Sequence, residues 1–285
     1  MLGLEQGIMA IMIKEILITK AQGEKEPFKS EKLVRSLQNS GASLAVANEI
    51  LQIIERELYD GMKTADIYRK AFSLLHKKEK IAAMRYSLRR ALVELGPSGF
   101  PFEQFLEEVF KHKGFTVTRD VIVKGQCIEH EVDLVASNDE KNIMVEVKFH
   151  NEPGIKSDVK VALYVGARFE DIFQALDSGA KKEEGWLITN TKFTQSAIEY
   201  GMCKGFTMIG WNYPAKGNLQ QMIEESRLHP LTCLPSLTVS QKKALFSEGV
   251  VLCRDVLNHP LLPSLGVSGV KLQKVKEEIA MLCGV

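Results

Sequence analysis

Glu131-Val132-Asp133-Leu134-Val135-Ala136, a short polar link, and then Ile143-Met144-Val145-Glu146-Val147-Lys148-Phe149-His150 decide how this chain reads. Both runs alternate with period two, which in a strand puts residues two apart on one face. Val132, Leu134 and Ala136 then share a face, with Asp133 on the other. In the second run Ile143, Val145, Val147 and Phe149 point into a core and leave Met144, Glu146, Lys148 and His150 on the opposite side. The link Ser137-Asn138-Asp139-Glu140-Lys141-Asn142 is all polar and suited to a turn, so the pair reads as a hairpin that sets Asp133 beside Glu146. Two carboxylates that close repel, and a hard cation such as Mg²⁺ or Mn²⁺ relieves the repulsion, so Asp133 and Glu146 are candidate metal ligands. An ammonium at Lys148 on the same face suits phosphate chemistry, where it positions a water and offsets charge on phosphorus. Glu-x-Lys is equally the pattern of an ordinary solvated strand face. Asp139-Glu140-Lys141 and Asp158-Val159-Lys160 repeat the spacing, but only Glu146-Val147-Lys148 combines strand alternation with a preceding strand-borne Asp.

Upstream, Phe102-Glu103-Gln104-Phe105-Leu106-Glu107-Glu108-Val109-Phe110 has the apolar spacing of an amphipathic helix, ending at Lys113-Gly114-Phe115. Together with Asp133 and Glu146-Val147-Lys148 these segments resemble the Mrr-like restriction endonucleases of the PD-(D/E)xK nuclease superfamily. The resemblance implies an α/β core with a central mixed sheet over residues 99–228 and metal-dependent hydrolysis of DNA. It implies catalytic roles for Glu103, Asp133, Glu146 and Lys148, with Glu107 as the alternative acidic helix residue. The chain departs from the motif at Val132, where the superfamily has proline.

After the hairpin, Ser157 or Asp158 can cap a helix reaching about residue 176, on which Lys160, Tyr164 and Arg168 fall four apart and form one stripe. Such a row suits a DNA backbone and suits a plain solvated face equally well. Gly185-Trp186-Leu187-Ile188-Thr189 and Thr207-Met208-Ile209-Gly210-Trp211 read as strands, separated by a helix expected over 192–200. Strands alternating with helices mark a layered α/β sheet. Thr189-Asn190-Thr191-Lys192-Phe193-Thr194 is similar to the back half of Mrr-like nucleases, where Lys192 and Thr194 would touch phosphate; helix capping is the competing role for the threonines.

Ahead of Gly96-Pro97-Ser98-Gly99, which breaks the helical pattern, residues 14–95 read as a strand or hairpin followed by helices over 30–41, 44–58, 64–75 and 78–95, with Ser30 and Thr64 as N-caps. Lys20-x-x-Gly23, Phe28-x-x-x-Lys32 and Ala83-x-x-Tyr86-x-x-x-Arg90 resemble the ATP-cone, a nucleotide-sensing domain. The resemblance implies ATP or dATP as effector, Lys20, Lys32 and Arg90 as nucleotide contacts, and a homo-oligomer. Ala21 stands where that family has arginine. Residues 229–285 read as an all-α region of short helices joined by glycine turns, with starts at Leu237-Thr238-Val239-Ser240, at Gly249-Val250-Val251 and after Leu265-Gly266-Val267-Ser268-Gly269. It resembles helix-hairpin-helix modules and equally suits a packing cap.

The 285 residues are 45% hydrophobic and 26% charged with net charge +1, so DNA would be met by a local basic patch, not an overall field. Cys127, Cys203, Cys233, Cys253 and Cys283 are scattered without a Cys-x-x-Cys pair, which argues against a zinc cluster and for reduced thiols in the cytoplasm. The first fourteen residues lack the order of a signal peptide, Met9 and Met12 are alternative starts, and no stretch approaches the roughly 20 apolar residues of a membrane span. Besides a metal-dependent DNA endonuclease, two readings stay open. One is a nuclease fold that binds nucleic acid without cutting; the other is a nucleotide-dependent assembly protein.

Overall fold

The structure is a computed structural model that describes residues 15–20, 23–152, 154–176 and 181–284. The alternative starts Met9 and Met12, the substituted position Ala21 and Pro153 of the turn after the hairpin lie outside the described residues. The chain divides into two compact units, Met1–Ala83 and Met84–Val285.

In the first unit β1 (Leu17–Thr19) and β2 (Lys25–Pro27) form an antiparallel hairpin, followed by α1 (Ser30–Asn39), α2 (Leu44–Glu57) and α3 (Thr64–Lys78). The helices bury Leu37, Ile50, Ile54 and Leu75 in a small core. The expected caps at Ser30 and Thr64 are corrected: each is the first helical residue, and the caps are Lys29 and Lys63, whose side chains make no capping bond. Ser30 is drawn elsewhere, donating its hydroxyl to the Glu55 carboxylate at 2.6 Å. Ser43 does cap α2, accepting from the Val46 amide.

The single helix expected over 78–95 is two, α4 (Lys80–Tyr86) and α5 (Leu88–Val93). The break is at Ser87, whose hydroxyl bonds back to the Met84 carbonyl at 2.7 Å and competes with the helical ladder. The division between units falls inside α4, upstream of the glycine-proline break. Leu88, Leu92 and Leu95 accordingly belong to the core of the second unit.

That core is built on a five-stranded mixed sheet in the order β3-β4-β5-β7-β9, from β3 (Thr116–Lys124), β4 (Glu129–Ser137), β5 (Lys141–Lys148), β7 (Lys182–Thr189) and β9 (Thr207–Ile209). The first three strands pair antiparallel and the last three parallel. Parallel neighbours need crossovers, and α7 (Val159–Ala175) and α8 (Gln195–Lys204) supply them. A two-residue β6 (Lys156–Ser157), just ahead of α7, pairs parallel with β8 (Lys192–Phe193), just ahead of α8. The β4–β5 turn closes where Asn138 Oδ1 accepts from the Glu140 and Lys141 amides. Asp158 caps α7, accepting from the amides of Lys160 and Val161.

Both faces of the sheet are covered. On one, α6 (Phe100–His112) buries Phe102, Phe105, Leu106, Val109 and Phe110 against Leu134, Ile143 and Val145. On the other, Ala162, Val165, Phe169 and Ile172 of α7 pack with Met144 and Leu187. Gly185 permits that contact, since a Cβ there would stand 2.4 Å from the Phe169 ring. One parity expectation is corrected. Val132 packs with Met144 and α7, on the face opposite to Leu134 and Ala136. Strict alternation fails beside Asp120, a non-glycine residue of β3 at φ 53° in line with Asp133.

The tail runs through α9 (Leu219–Ser226), α10 (Val239–Ser247) and α11 (Gly269–Cys283), and joins the core cluster on the α6 face. Thr238 and Gln241 form a capping box at α10. Two starts are corrected. Lys192 lies in β8, with Thr194 as the cap of α8; the helix expected at Gly249 is absent, because the Val251 carbonyl accepts from Leu231 and only a 3-10 turn, Cys253–Asp255, follows. Cys233, Cys253 and Cys283 are buried free thiols, whereas Cys127 and Cys203 are exposed. Among the described residues no helix is long and apolar enough to cross a membrane.

Candidate active site

The site forms where β4 and β5 part. Their pairing runs from Ser137↔Asn142 to Leu134↔Val145, and beyond it the Val147 amide donates not to a strand carbonyl but to Asp133 Oδ2, at 2.6 Å. A side chain thus bridges the strands where their pairing ends, and the next residues on each are Asp133 and Glu146, the charge of the first acting on the second. Glu103, in the first turn of α6, adds a third negative charge that acts on Glu146.

The three carboxyls are partly buried and act on one another through their charges. Burial, then the charges of Asp133 and Asp120, push the Glu103 carboxyl up to about 7 against the opposing pull of Arg119. Burial, then Asp133, push Glu146 to about 7, although Arg168 and Lys148 both favour its charged form. Asp133 is raised by burial, held back by the Val147 amide and Arg168. The charge of Asp133 raises both glutamates, and that of Glu103 adds to the rise of Glu146. Asp120 and Glu131 add further negative charge at Asp133.

Cations flank these acids. Arg119 sits over the Phe100 ring at 4.7 Å and pairs with Glu107 at 2.7 Å, while Lys111 binds the same Glu107 at 2.8 Å. Glu107, the alternative helix acid, is therefore already engaged. At the other end Arg168 pairs with Glu146, donates to the Glu131 carbonyl at 2.9 Å and to the Tyr164 hydroxyl at 2.6 Å, and stacks on the Tyr164 ring. Lys148, at the end of β5, acts electrostatically on Glu146 and on His150. Its position is fixed from beyond: Asn190, fully buried, accepts from the His150 amide at 2.9 Å and donates to the His150 carbonyl at 2.8 Å. His150 Nε2 is 2.9 Å from Ser157 Oγ, and its pKa is lowered by burial and by Lys148.

The structure thus brings Glu103, Asp133, Glu146 and Lys148 into one electrostatic group and adds Arg168 to it. Of the DNA-facing stripe, Lys160 is exposed in the first turn of α7 and Tyr164 is 61% exposed, but Arg168 is turned to the carboxylates with its side chain 12% exposed. Lys192 is exposed on β8. In the first unit Lys20 and Lys32 both pair with Glu26, at 3.0 and 3.4 Å. Burial favours neutral Glu26, but the two lysines outweigh it and lower the carboxyl. Arg90, in the second unit, pairs with Glu94 at 2.9 Å. The sequence reading missed Arg168 as partner of Glu146 and the charges of Asp120 and Glu131. The four-residue spacing found Arg168 but not the direction of its guanidinium.

The donor set suits a hard divalent cation. Asp133 and Glu146 offer carboxylate oxygens, and burial followed by the Asp133 charge disfavours the bare charge on Glu146. Among the described residues no group of three or more His, Cys, Asp or Glu is placed to hold a metal ion, so the candidate donors are the pair Asp133 and Glu146 alone. Two carboxylates leave coordination positions for water and phosphate, which is how Mg²⁺ is ordinarily held.

Known proteins are similar to this chain. Over 181 residues, 63% of this chain and all of the relative, the sequence is 34% identical to an uncharacterized protein of Archaeoglobus fulgidus. The crystal structure of AF1548, a protein of unknown function, matches at 31% identity and a TM-score of 0.52, covering 66% of this chain and all of that one. The chain belongs to the AF1548-like family. Its residues 229–283 match the AF1548-like, C-terminal model, and residues 96–209, which hold Glu103, Asp133, Glu146 and Lys148, match the restriction endonuclease model. The second unit of this AF1548-like chain therefore carries a restriction-endonuclease-like domain. MspJI restriction endonuclease in complex with a 27-mer oligonucleotide matches at 12% identity and a TM-score of 0.25, over 57% of this chain and 35% of that one, too distant to bear on fold or chemistry.

Proposed function

We propose that this chain is a metal-dependent DNA endonuclease of restriction or defence type, with Asp133 and Glu146 holding Mg²⁺ or Mn²⁺. The observation that carries the reading is the place of Asp133 and Glu146 just past the end of the β4–β5 pairing, where the Val147 amide binds Asp133, inside the segment that matches the restriction endonuclease model. A bound divalent cation supplies a water of lowered pKa and positive charge toward the phosphodiester. The chain's own residues do the rest. Lys148 orients the attacking water and offsets charge developing on the phosphate oxygens. Glu103, titrating near neutrality, holds or takes a proton at its carboxyl oxygen beside the pair. The Val147 amide fixes the rotamer of Asp133, and Asn190 fixes the end of the strand that bears Lys148. Lys160, Tyr164 and Lys192 are the proposed backbone contacts.

Residues 14–95 are proposed as a sensing region that binds ATP or dATP and changes the assembly of a homo-oligomer. The hairpin-plus-helices order of the first unit supports this reading, as does the pairing of Lys20 and Lys32 around one carboxylate, Glu26, which a triphosphate would compete with. Residues 99–228 form the proposed nuclease domain and 229–285 a packing region behind it. Three buried free thiols support a reducing, cytoplasmic setting. Incubation of purified protein with circular and linear DNA, with and without Mg²⁺ and ATP, tests the reading: metal-dependent strand cleavage supports it, and intact DNA under all conditions overturns it.

A further inference from the structure

Arg168 is a costly residue to place where it lies. Its side chain is 12% exposed, its Nε is buried without a hydrogen-bond partner, and its remaining nitrogens are committed to Glu146, the Glu131 carbonyl and the Tyr164 hydroxyl. A guanidinium taken out of water with one donor unsatisfied is unfavourable unless a nearby charge compensates it. Here the compensation is Glu146, itself 17% exposed. The ring of Tyr164, 4.8 Å below the guanidinium carbon, and the Glu131 carbonyl form a cradle on which the cation rests independently of Glu146.

We propose that Arg168 is the resident counter-charge of the carboxylate pair: it neutralises Glu146 while the site is unloaded and gives up this carboxylate oxygen when a divalent cation is bound. The inference rests on the reading of Asp133 and Glu146 as metal ligands and adds a regulation to it. Arg168 and the cation compete for one oxygen and repel each other as like charges, so the arginine sets a threshold concentration below which the pair stays closed. The cradle keeps the displaced guanidinium within the site, one charge from the reacting phosphate.

The test is Mn²⁺ binding by calorimetry in the absence of DNA, on the full chain, for wild type, Arg168→Gln, Arg168→Lys and Asp133→Ala. Removing the competing charge is expected to tighten Mn²⁺ binding by about ten-fold or more in Arg168→Gln, with Arg168→Lys close to wild type. Arg168→Ala serves as the second neutral variant, and urea unfolding establishes that each variant is folded. Equal or weaker Mn²⁺ binding in a folded neutral variant overturns the proposal while leaving the metal reading intact, provided that Asp133→Ala abolishes binding. Mn²⁺ binding that Asp133→Ala leaves unchanged, or no binding by wild type and neutral variant alike, overturns the reading and the proposal together.

Discussion

Glu103→Gln should stabilise the metal-free protein at alkaline pH. The wild-type carboxyl is displaced from its ordinary 4.5 to about 7, first by burial and then by Asp133 and Asp120. Taken at face value that displacement corresponds to about 3 kcal/mol of destabilisation once the group is charged. Glu103 is only half-buried, so solvent screening reduces the figure to roughly 1–2 kcal/mol. Its place in the first turn of α6 returns about 0.3–1 kcal/mol to the charged form through the helix dipole. The net gain expected from glutamine is therefore about 1 kcal/mol. The sign follows from linkage: a carboxyl whose folded pKa is raised contributes stability that is complete below 4.5 and is lost as pH rises through about 7. The advantage of the variant should be absent at the acid end, open between those values and stay level above them. Urea unfolding of both proteins in metal-free buffer at several pH values measures it. A variant no more stable than wild type at about pH 8, or a difference independent of pH, would refute the electrostatic picture of the site.

Lys148→Ala should retain DNA in a gel-shift assay while cleavage falls by about 10²–10⁴-fold; wild-type cleavage would return Glu146-Val147-Lys148 to an ordinary strand face. Asp171 on α7 pins the β3–β4 turn, accepting from the Cys127 and Ile128 amides and from His130, and these bonds hold its carboxyl down to about 2. Asp171→Asn should lower the unfolding midpoint at neutral pH. Because the folded pKa is depressed, that penalty should be complete above 3.8 and fade as pH falls through about 2, and a penalty that persists in acid would contradict it. If residues 14–95 sense nucleotide, light-scattering mass and cleavage rate should both respond to ATP or dATP, with Lys20→Ala and Lys32→Ala blunting the response. No change in either quantity up to millimolar nucleotide would leave the region a fixed docking module.

What was readable in the sequence is what period two and turn chemistry control. The hairpin bearing Asp133 and Glu146 and the apolar side of α6 follow from local patterns, and so do the caps at Asp158, Thr194 and Thr238. Where a side chain takes over a backbone bond, the pattern misleads. Ser87 splits a helix whose apolar spacing runs on unbroken, and the positive φ of Asp120 coincides with the change of face at Val132. Long-range pairings leave no periodic trace. Nothing within four residues of Arg168 distinguishes a guanidinium that reaches Glu146, 22 positions away, from one that faces solvent. Asn190, which anchors the strand end at His150 from 40 positions away, is equally silent in sequence.

The central claim is that Asp133 and Glu146 hold a divalent cation that cuts DNA. Its most direct test is cleavage of supercoiled plasmid by wild type and Asp133→Ala across a Mg²⁺ titration, with unfolding curves to establish that both are folded. Nicking and linearisation that rise with Mg²⁺ in wild type and are absent in Asp133→Ala are the expected result. Cleavage indifferent to Mg²⁺, or equal in the two folded proteins, would contradict the account.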